Sequence, residues 1–324
     1  MTLSACKALA FSDDELAQMR RFNLKLAKLP RFRIRNRITP RLIQALLRVS
    51  QLRGASTLRK HGLNAENKIV GLPAARVPVR IIRPQTEAQG VVLDFHGGGW
   101  VIGNAQMNDA LNIAMVKACN VTVVSVDYRL ATSTPVEGQM ADCLCAARWL
   151  LTDDEFAGLP VIVVGESAGG HLAAATLLGL KQWPELLERV SGALLYYGVY
   201  DLSGTQSVRS APAQTLLLDG PGMVEAFRML TPEATEEQRR QAPLSPLYGD
   251  FSGFPPALML AGELDPLRDD TLELAARWKA AAPVEVHLLP SSAHGFIHFP
   301  VSMASNVLMH CREWITQRIH AVRC

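Results

Sequence analysis

The chain has 324 residues, of which 48% are hydrophobic and 19% are charged. This composition excludes a disordered chain or a coiled coil, and the length is sufficient for one large domain, or a domain with a cap, around a buried core. The formal net charge is only +3, but the charges are unevenly distributed.

Basic residues are concentrated near the amino terminus. Between residues 16 and 65 there are 13 Lys and Arg and no Asp or Glu, which leaves 20 basic residues against all 30 acidic residues elsewhere. Either N-terminal helices pack on an acidic body, or this segment meets an anionic partner such as a membrane surface or nucleic acid. We favour packing, because apolar residues alternate with the basic ones as on an amphipathic helix. We therefore predict no nucleic-acid partner.

The cysteines and the hydropathy pattern bear on the compartment. Six cysteines without a Cys-x-x-Cys pair do not form a disulfide framework, so we interpret them as free thiols in a reducing compartment. No segment has 18 consecutive apolar residues, and the first ten residues do not resemble a signal peptide. We predict a cytoplasmic protein that does not insert stably into a membrane.

In chain order, residues 12–60 are predicted to be helical, with breaks at Pro30 and Pro40. Short apolar runs typical of buried strands then alternate with helical stretches. The predicted strands are 77–82, 91–95, 121–126, 161–164, 193–197, 257–260 and 284–289. The predicted helices between and after them are 108–119, 139–151, 168–181, 269–282 and 303–321. This alternation predicts a mostly parallel sheet covered by helices on both faces.

The segment 201–254 departs from this alternation. It has no strong strand, many Pro, Gly and Ser residues, and helical patterns at 223–230 and 232–241, the second with Thr231 as its N-cap. It is too long for a plain loop, so we predict an insertion that packs over the site with the N-terminal helices. The predicted units are an N-terminal helical cap segment (1–60), a catalytic domain (61–200 and 255–324) and a cap insertion (201–254).

The run Gly165-Glu166-Ser167-Ala168-Gly169 lies between a predicted strand and a predicted helix. A Gly-x-Ser-x-Gly turn in this context raises the serine hydroxyl to the carboxyl edge of the sheet. The turn needs small residues on both sides of the serine, since neighbouring elements approach closely there. We predict that Ser167 is a nucleophile.

A serine nucleophile needs a base and an orienting carboxylate, which follow it along the chain in this topology. His294 lies in a loop between the last strand and the last helix, and His298, four residues on, is the runner-up. Asp265, directly before a proline in the loop after strand 257–260, is our choice of carboxylate, with Glu263 as the main competitor.

The predicted strand 91–95 continues into His96 and three glycines. Successive glycines let backbone amides approach a substrate carbonyl oxygen, so the amides of Gly98, Gly99 and Ala168 are predicted to form an oxyanion hole. Phosphate binding is the alternative, but the run matches neither a P-loop nor a dinucleotide fingerprint. We interpret His96 as a structural residue.

The chain resembles the hormone-sensitive-lipase family of α/β-hydrolases, the capped bacterial carboxylesterases. Five motifs in the family's order carry the resemblance, over roughly residues 75 to 321: HGGGW at 96–100, DYRLA at 127–131, GESAGG at 165–170, DPLRDD at 265–270 and HGF at 294–296. The resemblance implies an α/β-hydrolase fold with a sheet of about eight strands and a helical cap. It also implies a Ser167, Asp265 and His294 triad and an oxyanion hole from Gly98, Gly99 and Ala168.

The family usually hydrolyses short- to medium-chain acyl esters without a cofactor, so we expect a small ester substrate, no cofactor and no metal site. An amidase, a lipase or a non-catalytic small-ligand receptor is the alternative, and a homodimer is left open. Two departures stand out. Glu166 occupies a position that is usually Asp in the family, and Thr132-Ser133-Thr134-Pro135 replaces the usual Pro-Glu after DYRLA.

Overall fold

The computed structural model describes residues 9–33, 38–51, 54–72 and 75–323. Eight strands form a single sheet: β1 (Ala65–Leu72), β2 (Ala75–Ile82), β3 (Gly90–Phe95), β4 (Val121–Val126), β5 (Val161–Glu166), β6 (Val190–Tyr196), β7 (Ala257–Gly262) and β8 (Val284–Leu289). The described helices are α1 (Asp13–Leu26), α2 (Ile38–Ser50), α3 (Gly54–Lys60), α4 (Asp109–Cys119), α5 (Val136–Thr152), α6 (Ala168–Leu180), α7 (Pro184–Leu187), α8 (Gln206–Arg209), α9 (Met223–Leu230), α10 (Glu236–Arg239), α11 (Arg268–Trp278) and α12 (Ser302–Arg323).

The strand order in the sheet is β1-β2-β4-β3-β5-β6-β7-β8. The pairs β1/β2 and β2/β4 are antiparallel, and all later neighbours are parallel. Parallel strands that are covered on both faces read as continuous apolar runs, and β3, β4, β5 and β7 are buried along their whole length. The predicted fold class, a mostly parallel sheet flanked by helices, is confirmed.

Two apolar layers cover the two faces of the sheet. One contains buried side chains of α5, α6 and α11, and the other contains those of α1, α4 and α12. Helix α6 has small and apolar residues on all sides and is buried nearly throughout, as a helix at the centre of a large core must be. Its position fixes where the loop after β5 emerges at the carboxyl edge of the sheet.

Three details differ from the sequence predictions. Strand β1 was not predicted, because polar residues interrupt its apolar pattern at the edge of the sheet. Pro40 does not break a helix but lies in the first turn of α2, where its missing N–H is tolerated. Thr231 is not an N-cap, since its hydroxyl donates to the Phe227 carbonyl at the end of α9. Thr235 instead caps α10, with a capping box to Gln238.

The basic N-terminal segment packs on the rest of the chain. Arg31 donates to the Thr215 carbonyl at 2.6 Å, and Arg41 donates to the Thr132 carbonyl at 3.3 Å. Arg33 forms a 3.0 Å ion pair with Asp219. These contacts agree with the packing interpretation of the basic segment.

The four cysteines that the structure describes are buried and form no disulfide, whereas Cys6 and Cys324 lie outside the described residues. Within the described part of the chain, none of the helices is both long and apolar enough to cross a membrane.

Candidate active site

Ser167 lies at the sharp turn between β5 and α6, with φ of 54° and ψ of −121°. Neighbouring backbone leaves no space for a side chain at the glycines two residues before and two residues after it. A Cβ atom on Gly165 would lie 2.3 Å from the Gly169 carbonyl oxygen, and one on Gly169 would lie 2.0 Å from the Phe95 carbonyl oxygen. Such a strained backbone at a non-glycine residue is typical of a functional site.

A continuous hydrogen-bonded chain joins the three predicted residues. His294 Nε2 lies 2.9 Å from Ser167 Oγ, and His294 Nδ1 lies 2.7 Å from Asp265 Oδ2. The other Asp265 oxygen accepts the Leu267 amide at 2.9 Å, and the Asp265 side chain is fully buried. This geometry places a base against the hydroxyl and a carboxylate against the base.

The competing residues lie elsewhere. His298 donates from Nε2 to Glu166 Oε2 at 2.7 Å, and Glu263 accepts the Ser291 amide at 2.8 Å. His96 is buried, stacks on Tyr128 with ring centroids 4.2 Å apart, and lies with Nδ1 2.7 Å from the Gly97 carbonyl oxygen. None of these three side chains has a described hydrogen bond to Ser167.

A glycine run follows β3, and its Gly99 lines the same cavity as Ser167. Gly98 and Gly99 have φ angles of 114° and 58°, and a Cβ atom on Gly98 would lie 2.1 Å from the Ile102 carbonyl oxygen. Among the described residues, no acceptor is bonded to the backbone amides of Gly98, Gly99 or Ala168. Three such donors near a nucleophile are suited to bind a developing oxyanion.

A cavity of about 260 Å³ opens beside Ser167. Its walls are formed by residues of the glycine run, of α9 and the segment that precedes α9, and of the N-terminal segment. Most of its lining is apolar, with charged residues Arg33, Asp219 and Glu225 also present. Its size is at the lower limit for small-molecule pockets, so it suits a compact apolar group.

Residue type alone favours a core position over a pocket wall for five apolar residues of the predicted cap: Phe22, Phe32, Met223, Phe227 and Leu230. Phe32, Met223 and Phe227 line the cavity, and they also belong to the apolar core or pack against it. Phe22 packs instead on Phe299 at 4.9 Å, and Leu230 is buried. The sequence pattern cannot separate these cases, since a buried pocket wall and a core have the same composition.

A family model for the α/β-hydrolase fold matches residues 92–298. The carboxylesterase NlhH of Mycobacterium tuberculosis is 32% identical over 251 residues, which are 73% of this chain and 76% of that protein. An arylesterase of Saccharolobus solfataricus is 31% identical over 235 residues, 69% of this chain and 74% of that protein.

Solved structures agree with these matches. Esterase LipW from Mycobacterium marinum superimposes with a TM-score of 0.79 at 26% identity, covering 95% of this chain and 96% of that one. An esterase of the bacterial hormone-sensitive-lipase family superimposes with a TM-score of 0.75 at 25% identity, covering 96% and 100%. The chain belongs to the hormone-sensitive-lipase family of α/β-hydrolases.

Glu166, the residue at which this member of the hormone-sensitive-lipase family departs from the usual Asp, is itself buried and lies at the centre of a hydrogen-bonded cluster that reaches the surface at His298. Its Oε2 accepts His298 Nε2 at 2.7 Å and the Tyr197 hydroxyl at 2.8 Å, and its Oε1 accepts the Gly97 amide at 3.4 Å. Burial would raise the pKa of Glu166, but the hydrogen bond and charge of His298 and the bond from Tyr197 outweigh it and lower the pKa to about 2.

The pKa of His298 shifts in the opposite direction, upward. Burial tends to lower its pKa, but the hydrogen bond and the charge of Glu166 raise it above the ordinary value. The two residues therefore form an ion pair at the residue that directly precedes Ser167. The family's HGF motif locates His294, but no spacing rule in the sequence pairs His298 with Glu166.

The sequence also does not predict the contacts of a second histidine, His171. His171 lies in the first turns of α6, accepts the Trp100 indole N–H at 3.3 Å through Nδ1 and contacts the Leu244 carbonyl at 2.9 Å through Nε2. Burial lowers its pKa to about 4, against the opposing effect of the hydrogen bond to Leu244. A neutral imidazole thus links the glycine run, α6 and the segment that follows α10.

Proposed function

We propose that this protein is a carboxylesterase that hydrolyses short- to medium-chain acyl esters through an acyl-enzyme on Ser167. The observation that carries the proposal is the hydrogen-bonded chain from Ser167 through His294 to Asp265, beside an apolar cavity. Relatives that are named carboxylesterase and arylesterase support ester hydrolysis as the reaction.

In the first step, His294 Nε2 accepts the Ser167 proton while Oγ attacks the ester carbonyl carbon. The negative charge that forms on the carbonyl oxygen is met by the amides of Gly98, Gly99 and Ala168, which are available as donors. Losing one such donor typically costs about 3 kcal/mol of transition-state stabilisation.

In the second step, His294 returns the proton to the leaving alcohol, and the acyl group stays on Ser167. Water, deprotonated by the same imidazole, then hydrolyses the acyl-enzyme and restores the hydroxyl. Asp265 holds His294 with its Nδ1–H directed at the carboxylate and stabilises the imidazolium that forms in both steps.

We further propose that the segments 1–60 and 201–254 act as a cap that sets the substrate range. Phe32 and Leu218 come one from each segment, pair as an isolated β-bridge and line the cavity beside Ser167. A small apolar cavity formed in this way favours short or medium acyl chains over long ones.

The main test is a chain-length series of p-nitrophenyl esters with the wild type and Ser167→Ala. We expect maximal kcat/KM at a short or medium chain and a loss of at least about 10³-fold in Ser167→Ala with the fold intact. A fluorophosphonate should label the wild type only. Near-wild-type turnover by Ser167→Ala would disprove the assignment, and interfacial activation on emulsified long-chain triglycerides would favour a lipase.

The identity of the base is tested by a pair of histidine variants. His294→Gln should lower kcat by orders of magnitude, because Ser167 loses its proton acceptor. His298→Gln is the matched control, four residues away and bonded to Glu166 instead. If His298→Gln alone abolished hydrolysis, the assignment of His294 would be wrong.

A further inference from the structure

A cluster of two histidines and a glutamate lies away from Ser167, where β8 meets α12. Glu285 and His287 are two residues apart on β8, the edge strand of the sheet, so their side chains share one face. His310 extends from α12 towards that face. Nothing in the sequence spacing brings His310 to the other two residues.

The three side chains converge on one point. His287 Nε2 and His310 Nε2 each lie 2.6 Å from the same Glu285 Oε1 atom. The two imidazole rings are nearly perpendicular, at 88°, with centroids 5.3 Å apart. All three potential ligand atoms lie within 4.8 Å of one another. This is the arrangement that brings two ring nitrogens and one carboxylate oxygen around a single ion.

The degree of burial suits an ion site that solvent can reach. The exposed fractions of the side chains are 22% for Glu285, 16% for His287 and 9% for His310. An ion can therefore enter from solvent, while partial burial strengthens its attraction to the carboxylate.

We propose that Glu285, His287 and His310 form a binding site for a divalent transition-metal ion, with Zn²⁺ as the best match. Two imidazole nitrogens and a carboxylate are a common set of protein ligands for zinc, and water would supply the fourth position. With both imidazoles protonated on Nδ1, the ion takes the place of the two Nε2–H hydrogen bonds to Glu285. Zinc–nitrogen distances of about 2.0 Å require the three ligand atoms to separate only slightly from their present contacts.

The position of the cluster gives the ion a role in the fold. The segment between the end of β8 at Leu289 and the start of α12 at Ser302 contains His294. An ion bound by side chains of β8 and α12 would hold together the two elements that flank this segment. It would thereby stabilise the loop that presents the proposed base, without contacting the substrate.

The test is metal binding to the full chain after EDTA treatment and buffer exchange. Titration with ZnCl₂ in a calorimeter should show one tight site, and thermal unfolding should shift upward with increasing Zn²⁺. CoCl₂ should give the visible absorption bands of a four- or five-coordinate ion without a thiolate charge-transfer band. No stoichiometric binding by the wild type would overturn the proposal.

Substitutions of the proposed ligands test which residues bind the ion. His310→Gln and Glu285→Gln should each weaken Zn²⁺ binding by at least about tenfold. The matched control is His320→Gln on the same helix, which should bind Zn²⁺ like the wild type, because His320 is hydrogen-bonded to Gln89 and does not belong to the cluster. If His310→Gln fails to fold, as judged by circular dichroism, the cobalt spectrum of the wild type and Zn²⁺ binding by Glu285→Gln test the site instead. Binding that survives His310→Gln but is lost in His294→Gln would place the ion at the triad and disprove the proposal.

Discussion

Two carboxylates lie close to Ser167, and each holds a different histidine. Asp265 is bonded to His294, which contacts the serine hydroxyl, whereas Glu166 is bonded to His298. Because Glu is one methylene longer than Asp, Glu166 can reach Tyr197, His298 and the Gly97 amide together. The Glu166 carboxylate thereby connects the glycine run to the nucleophile turn.

The Glu166–His298 ion pair should contribute to stability within a limited pH window. The pKa of His298 is raised, so its contribution is present below the ordinary value of about 6.5 and is lost as pH rises through the higher, folded-state value. The pKa of Glu166 is lowered, so its contribution is present above about 4.5 and is lost as pH falls towards 2. Both conditions are met between about pH 4.5 and 6.5.

We expect His298→Gln to lower the free energy of unfolding most in that window, by roughly 1 kcal/mol, since the His298 side chain is 42% exposed and solvent screens the pair. Urea unfolding of wild type and variant from pH 3 to 9 measures the difference. His61→Gln, an exposed histidine, is the control and should show no such window. A difference independent of pH would indicate lost packing rather than a lost ion pair.

At the residue scale, the three residues of the proposed triad, which the structure brings into hydrogen-bond contact, can be named from the sequence, whereas the contacts around them cannot. Ser167, Asp265 and His294 each follow a strand in the order that the topology dictates, which leaves only Glu263 and His298 as competitors in the same loops. The contacts of His294 with Ser167 and Asp265 separate the alternatives. His298, Glu166 and His171 are placed by tertiary contacts that no local pattern encodes. For the same reason, the sequence does not predict the cluster of Glu285, His287 and His310. The local sequence indicates only that His287 lies in a strand and His310 in a helix.

Among the elements, the contact between β3, β5 and α6 determines the geometry of the turn. The backbone of Gly169, in the first turn of α6, lies against the carbonyls at the end of β3, so a side chain there would strike main-chain atoms. A flexible neighbour could move aside, but strand carbonyls held in a parallel ladder cannot. The glycines of the motif are therefore required by packing as well as by backbone conformation.

Gly169→Ala is expected to destabilise the protein by about 3 kcal/mol or more and to lower kcat sharply, because its Cβ would lie 2.0 Å from the Phe95 carbonyl oxygen. Gly158→Ala is the matched control. Its φ of 73° is unfavourable for alanine but no atom lies within 4 Å, so it should cost only about 1 kcal/mol and leave kcat unchanged. Equal effects of the two variants in urea unfolding would contradict this account.

The sequence predicts elements well where their pattern is strong. The bounds of β4, β8 and α9 match the predictions at both ends. The buried strand β4 and the amphipathic helix α9 have clear patterns, and β8 has a short apolar run although it lies at the edge of the sheet. The sequence does not predict strand β1, because the polar residues Glu66, Asn67 and Lys68 interrupt its apolar pattern. Thr231 was misassigned because threonine bonds equally well to a carbonyl at the end of a helix.

Across the whole molecule, segments far apart in the chain form the cavity beside Ser167. The Phe32 amide donates to the Leu217 carbonyl at 2.6 Å, and the Asp219 amide donates to the Phe32 carbonyl at 3.2 Å. The Arg33–Asp219 ion pair lies beside these bonds. The N-terminal segment and the segment 217–219 are thus held together by hydrogen bonds and an ion pair. A substitution in the N-terminal segment should therefore alter the substrate range of the site at Ser167, which lies more than 100 residues later in the chain.

Phe32→Trp should therefore shift the optimum of the p-nitrophenyl ester series towards shorter acyl chains, because a larger ring fills part of a cavity of only about 260 Å³. The effect should appear mainly in KM for the longer esters, about tenfold, with little change for the acetate. Phe22→Trp is the matched control, since Phe22 packs on Phe299 and does not line the cavity. It should lower stability by about 1–3 kcal/mol through overpacking while leaving the ratio between esters unchanged. The same shift in both variants would mean that Phe32 acts through general loosening of the N-terminal helices and not as a wall of the cavity.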